Sequence, residues 1–262
     1  MDNIDPRRLH FLPLGGAGEF GVNMNLYGLD GKWLMIDCGI GFSDDTVPGV
    51  KVLLPDPSFI EARKKDLVGL VLTHAHEDHV GAVPHLYARL GCPIYATPFV
   101  AAFLRLKLTE EGMTHQVDLR ELPLGGSFDA SPFRVELVTM NHSIPEASLI
   151  VIRTDAGTVV HTGDWRFDSG PVVGVPFNRS ILTDLGKDGV LAVIGDSTNA
   201  DNDISPRSEA VLADHLKTLF AQFDKRIIVT CFSSNVARLR SIAKATQACG
   251  RQAALIGRSL WR

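Results

Sequence analysis

With 262 residues, 45% of them hydrophobic and 21% charged, the chain can build one large core or two smaller ones, which excludes an intrinsically disordered protein. No run approaches the ~18 apolar residues of a membrane span, and Met1-Asp2-Asn3-Ile4-Asp5 lacks the basic head and apolar stretch of a signal peptide, so a cytoplasmic protein is expected. The net charge of −4 hides an asymmetry: residues 205–262 carry ten Lys/Arg against three Asp/Glu, which leaves −11 for residues 1–204. A carboxylate-rich half followed by a basic segment fits a metal enzyme acting on a polyanion. Cys38, Cys92, Cys231 and Cys249 show no paired spacing and read as reduced core fillers.

Residues 10–14 read as a first strand. Gly16-Ala17-Gly18-Glu19-Phe20-Gly21 then matches G-x-G-x-x-G, with Asp37 at about the spacing of a ribose-binding acid. A dinucleotide site needs a helix after its glycines, so that the helix N-terminus meets the pyrophosphate. Here Asp30-Gly31 between two short apolar runs signals a hairpin instead, and no helix of three turns fits before Asp37. The glycines are therefore expected to form a tight loop near the functional site. A Pro- and Asp-rich loop over 43–57 and a short helix over 58–65 lead into a strand over 68–73.

Directly after that strand come His74, His76, Glu77, Asp78 and His79, five ligand-type residues in six. A strand running out into a loop would throw His74, His76 and Asp78 to one side, and His79 elsewhere. That suits two neighbouring cations, one on His74 and His76, the other on Asp78 and His79. Imidazole with carboxylate is a ligand set for zinc, with manganese or iron as alternatives. The plainer alternative is a surface loop that happens to be rich in His.

A helix over 81–90, a strand over 93–96 and a helix from Pro98 to about residue 111 follow. Strands are expected at 117–122, 133–139, 148–153, 158–161 and 190–195, so that two sheets carry helices outside. His142 and Asp164 each lie in a loop after a strand. His142 can complete the first ion's trio of imidazoles. Asp164 can bridge the two ions, which holds such a pair ~3.5–4 Å apart. His161, within a strand, is expected to pack or to hydrogen-bond behind the ligands.

Ser205 and Pro206 are expected to open a helix through about residue 223. Residues 226–231 read as a strand, 236–249 as a helix and 252–256 as another strand, the β-α-β start of a parallel sheet. Ser233, Ser234 and Asn235 would sit at a helix start, facing an anion or simply capping the helix.

The order H-x-H-x-D-H at 74–79, then His142, then Asp164, resembles the metallo-β-lactamase fold. The further segments Leu14 to Asn23, His142 to Pro145, His161 to Asp164, Asp196 to Ala200, Phe232 to Asn235 and Gly257 to Ser259 resemble the ribonuclease J family of β-CASP nucleases. The resemblance implies an α/β metallo-β-lactamase αββα sandwich, incomplete, over 1–200, followed by the start of a β-CASP α/β insert over 201–262. It implies two zinc ions (manganese as an alternative): His74, His76 and His142 on one, Asp78 and His79 on the other, Asp164 between them. Asp78 would also orient the nucleophile, Asp196 would assist proton transfer at the scissile phosphate, and Ser233, Ser234 and Asn235 would hold substrate phosphate. Lys51 stands where relatives tend to have Asp near a calcium site, which argues against calcium.

The chain ends at Arg262, early in that insert, so two histidines expected of the family, one a ligand and one a partner of Asp196, have no counterpart here. The implied activity is hydrolysis of single-stranded RNA, from a 5′-monophosphorylated end and internally, with weak or absent turnover by the 262-residue chain. Homo-oligomers are expected of full-length members. The rival readings are a hydrolase of a small ester, thioester or lactone, a nuclease acting on DNA, and an inactive truncated product that binds metal or RNA.

Overall fold

The computed structural model describes residues 5–43, 48–203 and 207–261. The chain first forms an antiparallel meander, β1 (His10–Gly15), β2 (Met24–Leu29) and β3 (Lys32–Ile36), with Asp30 and Gly31 at the β2–β3 turn, both at positive φ. In β3 the side chains alternate between two apolar clusters. Trp33 and Met35 enter one, and Leu34 and Ile36 the other. Such a strand is covered on both faces, and that sets the layering of the fold.

A short ribbon, β4 (Gly41–Phe42) with β5 (Val52–Leu53), precedes helix α1 (Ser58–Glu61). Strand β6 (Leu67–Val71) then pairs parallel with β3. Two helices follow, α2 (Glu77–Val80) and α3 (Val83–Leu90), the second ended by Gly91 at φ 63°, the left-handed cap glycine favours. Strand β7 (Ile94–Ala96), helix α4 (Pro98–Glu110) and strand β8 (Leu119–Glu121) complete a six-stranded sheet of order β1-β2-β3-β6-β7-β8. Its outer face is packed by α1, α3 and α4, through residues such as Ile60, Leu86 and Leu104.

The second sheet contains β9 (Ser127–Ala130), β10 (Phe133–Thr139), β11 (Ser148–Thr154), β12 (Gly157–His161) and, after helix α5 (Ser180–Asp188), β13 (Ala192–Ile194). The order is β13-β12-β11-β10-β9, with only β12 and β13 parallel. Phe133, Val135, Leu137, Ile150 and Ile152 face Tyr27, Leu34, Ile36 and Val71 across the sandwich. Leu149, Val151 and Val160 turn outward to Leu185 of α5. The layers are thus helix, sheet, sheet, helix, the αββα architecture the sequence implies.

Two helices, α6 (Glu209–Phe220) and α7 (Val236–Ala248), pack against each other, and Val236 of α7 packs against the cluster on the outer face of the first sheet. No helix among the described residues is long and apolar enough to cross a membrane.

Several expectations are corrected. Ser208 is the side-chain cap of α6, accepting from the Ala210 N–H; Ser205 and Pro206 lie outside the described residues. Residues 226–231 and 252–256 form no strand, because neither segment has a partner strand among the described residues, and Ile228 and Ile256 stand exposed. The helix expected over 81–90 begins earlier and is interrupted, as α2 and α3. Cys38 and Cys92 are buried as expected, but Cys231 is exposed and Cys249 partly so; all four are free thiols. Strand β9 and helix α5 are additional to the elements expected.

Candidate metal centre

Strands β3, β6, β10, β12 and β13 all run out at one end of the sandwich, and a hydrogen bond from Ser148 N to Thr73 O ties the two sheets together there. The loops at that end carry the chemistry. His74 and His76 follow β6, whereas Asp78 and His79 belong to α2. The strand stops at Val71, so the divergence of these side chains comes from a loop and one helical turn, not from the period-two alternation expected of a strand. His142 follows β10, Asp164 follows β12 and Asp196 follows β13.

Six of the expected ligands meet. His76 Nδ1 lies 3.1 Å from His74 Nε2 and 3.2 Å from His142 Nε2. Asp164 Oδ2 lies 3.9 Å from His74 Nε2 and 3.5 Å from His142 Nε2. The other oxygen, Asp164 Oδ1, lies 3.3 Å from His79 Nε2, which is 3.6 Å from Asp78 Oδ2. Two donor groups result, His74–His76–His142–Asp164 and Asp78–His79–Asp164, sharing one carboxylate.

These groups fit divalent cations. A tetrahedral ion with bonds of about 2.0–2.1 Å sets neighbouring donors about 3.3 Å apart, within the observed 3.1–3.9 Å. Protonation supports the fit. Burial drives His74 well below the ordinary histidine value, with His79, His142 and His76 pushing the same way. Burial also lowers His76, and lowers His142 to about 4. Three neutral imidazoles each keep one ring nitrogen with a lone pair, the form in which histidine ligates a cation. Asp164 stays ionised: burial works to raise it, but the hydrogen bond and charge of His79, with His142 and His76, hold it down at about 2.

Asp37 is a functional residue that the sequence reading missed. It is fully buried and sits at φ 61°, a conformation costly for a residue with a side chain. Its Oδ1 accepts from Thr73 N at 2.8 Å; its Oδ2 accepts from Thr73 Oγ1 at 2.8 Å and from His79 Nδ1 at 2.7 Å. Holding Nδ1–H in this way turns His79 Nε2 toward Asp78 and Asp164. Burial opposes protonation of His79, but Asp37 and then Asp164 raise it well above the ordinary value. An acid placed at the end of the apolar run Leu34-Met35-Ile36, where a buried charge needs a partner, was the available signal.

Around this pair the metal-bearing loop is pinned on several sides. Cys38 N donates to His79 O, Ile40 N to Glu77 O, and Asn23 donates to Asp78 O from both its backbone and side-chain nitrogens. Lys107 of α4 binds both oxygens of Glu77 at 2.7–2.8 Å. His161 Nδ1 shares a hydrogen bond with the Tyr27 hydroxyl at 2.9 Å and is pushed down to about 4 by burial, so it stays neutral behind the ligands, as expected.

Asp196 lines the same cleft as Asp78, His79 and Asp164, with its Oδ1 taken by the backbone and hydroxyl of Thr198. Asn235 spends its side-chain oxygen as the cap of α7, accepting from Arg238 N at 2.9 Å. The backbone of Ser234 hydrogen-bonds His76, and Ala237 N donates to Ser143 O, so the Ser233–Asn235 loop abuts the first donor group. The glycine loop of 16–21 leads into β2 without a helix and lines the cleft on the side of the second group, in keeping with rejection of a dinucleotide site.

An αββα sandwich whose strand ends gather four histidines and two aspartates defines a metallo-β-lactamase scaffold. Residues 17–204 match the family described as Metallo-beta-lactamase superfamily, and the chain belongs to that superfamily. Within it the chain is similar to proteins named ribonuclease J: 42% identical over 100% of its length to that of Sinorhizobium meliloti, 40% over 97% to that of Mycobacterium tuberculosis, and 34% over 95% to that of Helicobacter pylori. Residues 224–262 match the family described as Ribonuclease J, beta-CASP domain. The chain spans 47%, 45% and 36% of those three relatives, about half of their length or less. Among solved structures, a protein of unknown function from Enterococcus faecalis shares the fold, with TM-score 0.67 at 19% identity, over 92% of this chain and 67% of that one.

Proposed function

We propose that the chain is the metal-binding part of a ribonuclease that hydrolyses RNA phosphodiester bonds, acting on single-stranded RNA from a 5′-monophosphorylated end and also internally. The observation that carries this reading is the pair of donor groups joined through Asp164, in a chain whose relatives are named ribonuclease J. Residues 1–200 form the metallo-β-lactamase portion in this reading, and residues 201–262 begin the β-CASP portion.

His74, His76 and His142 would hold one ion and Asp78 and His79 the other, with Asp164 within reach of both donor groups. Two divalent ions, zinc by the donor set with manganese as an alternative, neutralise the attacked phosphate and make water nucleophilic near neutral pH when bound. Asp78 orients the attacking water. Water adds to phosphorus, the bond to the 3′-oxygen breaks, and Asp196 handles the proton that the leaving oxygen acquires. The hydroxyls of Ser233 and Ser234 and the amide nitrogen of Asn235 bind substrate phosphate; the helix start behind them favours an anion.

The test is hydrolysis of 5′-monophosphorylated single-stranded RNA by this chain and by a form extended to the length of its relatives, both metal-loaded, against the matching DNA and a generic lactone; turnover is expected of the extended form, in which the substitution is made. His76→Ala removes a first-ion ligand and should abolish turnover of RNA. Full activity of that variant overturns the site assignment, and turnover of the lactone but not of RNA overturns the substrate class.

A further inference from the structure

Phe20 is out of place for a packing residue. It is 78% exposed, yet it lines the cleft of about 490 Å³ whose floor is formed by Asp78, His79 and Asp164. Phe11 of β1, 41% exposed, lines the same cleft. Free energy is lost by leaving a phenyl ring in water, at about 25 cal/mol for each Å². Apolar contacts do not hold Phe20 where it is; the loop backbone does. Gly16, Gly18 and Gly21 take φ of 81°, 79° and 78°, Gly16 N donates to Glu19 Oε1 at 3.2 Å, and a Cβ on Gly21 would lie 3.8 Å from that of Asp78. The residue after Phe20 is thus seated against the second donor group.

The charge of the lining decides what the cleft can take. Among the described residues it presents four carboxylates, Glu19, Asp78, Asp164 and Asp196, and no Lys or Arg. A phosphate is repelled there except at the ion positions. Beside polar Asn, Ser and Thr side chains, the wall carries Phe11, Phe20, Ile194 and the glycine backbone, which suit the uncharged part of a nucleotide. A base stacked on a phenyl ring needs no particular sequence, because every base has a π-face.

Building on the nucleic-acid reading above, we propose that Phe20 stacks against the nucleobase adjoining the attacked phosphate, on the side of the second donor group. The glycine loop is then a nucleoside subsite. It grips single-stranded RNA next to the scissile bond without reading its sequence, while the Ser233–Asn235 loop lies on the other side, against His76.

The experiment is equilibrium binding of a fluorescein-labelled single-stranded oligoribonucleotide, with a cleavage-resistant phosphorothioate linkage, to the metal-loaded protein. Phe20→Ala should weaken binding by about 5- to 150-fold, the range set by one base–aromatic stack. Phe20→Leu, which keeps apolar bulk without the ring, should weaken it nearly as much, and Phe20→Trp should restore it with quenching of the new indole. Replacing the adjoining nucleotide by an abasic one should remove the difference between the original protein and Phe20→Ala. Because the side chain is exposed, melting temperatures should stay together. Equal affinity of the original protein and Phe20→Ala for intact RNA would overturn the subsite and leave the ribonuclease reading standing. Failure of the original protein to bind RNA at all would overturn both.

Discussion

Asp37→Asn replaces one oxygen of a buried carboxylate by an amide nitrogen and leaves its volume unchanged. In the structure Oδ1 accepts from Thr73 N, while Oδ2 accepts from both Thr73 Oγ1 and His79 Nδ1. The amide can keep its oxygen toward Thr73 N, but its nitrogen then faces His79 and donates to Nδ1. His79 must shift its proton to Nε2, the atom that lies 3.3 Å from Asp164 and 3.6 Å from Asp78. A protonated Nε2 cannot ligate. Turning the amide over instead sets its N–H groups against Thr73 N–H, leaving a buried donor unpaired at a cost of about 1–3 kcal/mol. Loss of a ligand-orienting partner lowers metal affinity by about 10- to 100-fold, or about 1.4–2.7 kcal/mol. Titration with zinc against a chelating dye should show one site unchanged and the other weakened by that factor. A variant that binds two ions with the original affinities would refute the claim that Asp37 sets the tautomer of His79.

The acid response of the metal-free protein follows from its buried histidines. His161, held near 4 by burial, stays neutral when folded but takes a proton below about 6.5 when unfolded. Its contribution is complete above about pH 6.5 and is lost as pH falls to 4, by about 3 kcal/mol; His142 and His74 act in the same direction, and His79 opposes them. Denaturant midpoints between pH 7.5 and 4.5 should therefore fall more steeply for the original protein than for His161→Gln, and parallel slopes would refute this. Gly39→Ala sets a Cβ 1.5 Å from the backbone oxygen of Asp78. The metal-bearing turn must move, at a cost of about 3 kcal/mol or more. Chemical denaturation should register that loss together with a loss of the second ion, and a variant equal to the original in both would contradict the packing described.

Local patterns carried most of the architecture. The Asp30-Gly31 turn marked the β2–β3 hairpin, and apolar runs located β3, β6 and β11, because their side chains are buried on both faces. The six candidate ligands were legible as residue types in loops after strands, and family resemblance ordered them. What sequence did not reveal depended on long-range contact. The role of Asp37 emerges only when folding brings Thr73 and His79 onto it, 36 and 42 positions away. Residues 226–231 and 252–256 have strand-like sequences, but a strand requires a neighbour to pair with, and none of the described residues supplies one. Ser208 took the capping role expected of Ser205, three positions along, because its hydroxyl is the one that accepts from Ala210 N. Phe20 stood inside a glycine motif first weighed for nucleotide binding, and its exposure beside the candidate ligands emerged only from the fold.

Counting the ions is the most direct measurement. The purified protein, loaded with zinc or manganese and freed of excess metal, should carry two divalent ions per chain by mass spectrometry, with Asp164→Ala reducing that number. Stoichiometrically empty protein under the same loading would contradict the two-site centre, and with it the hydrolytic function assigned to these residues.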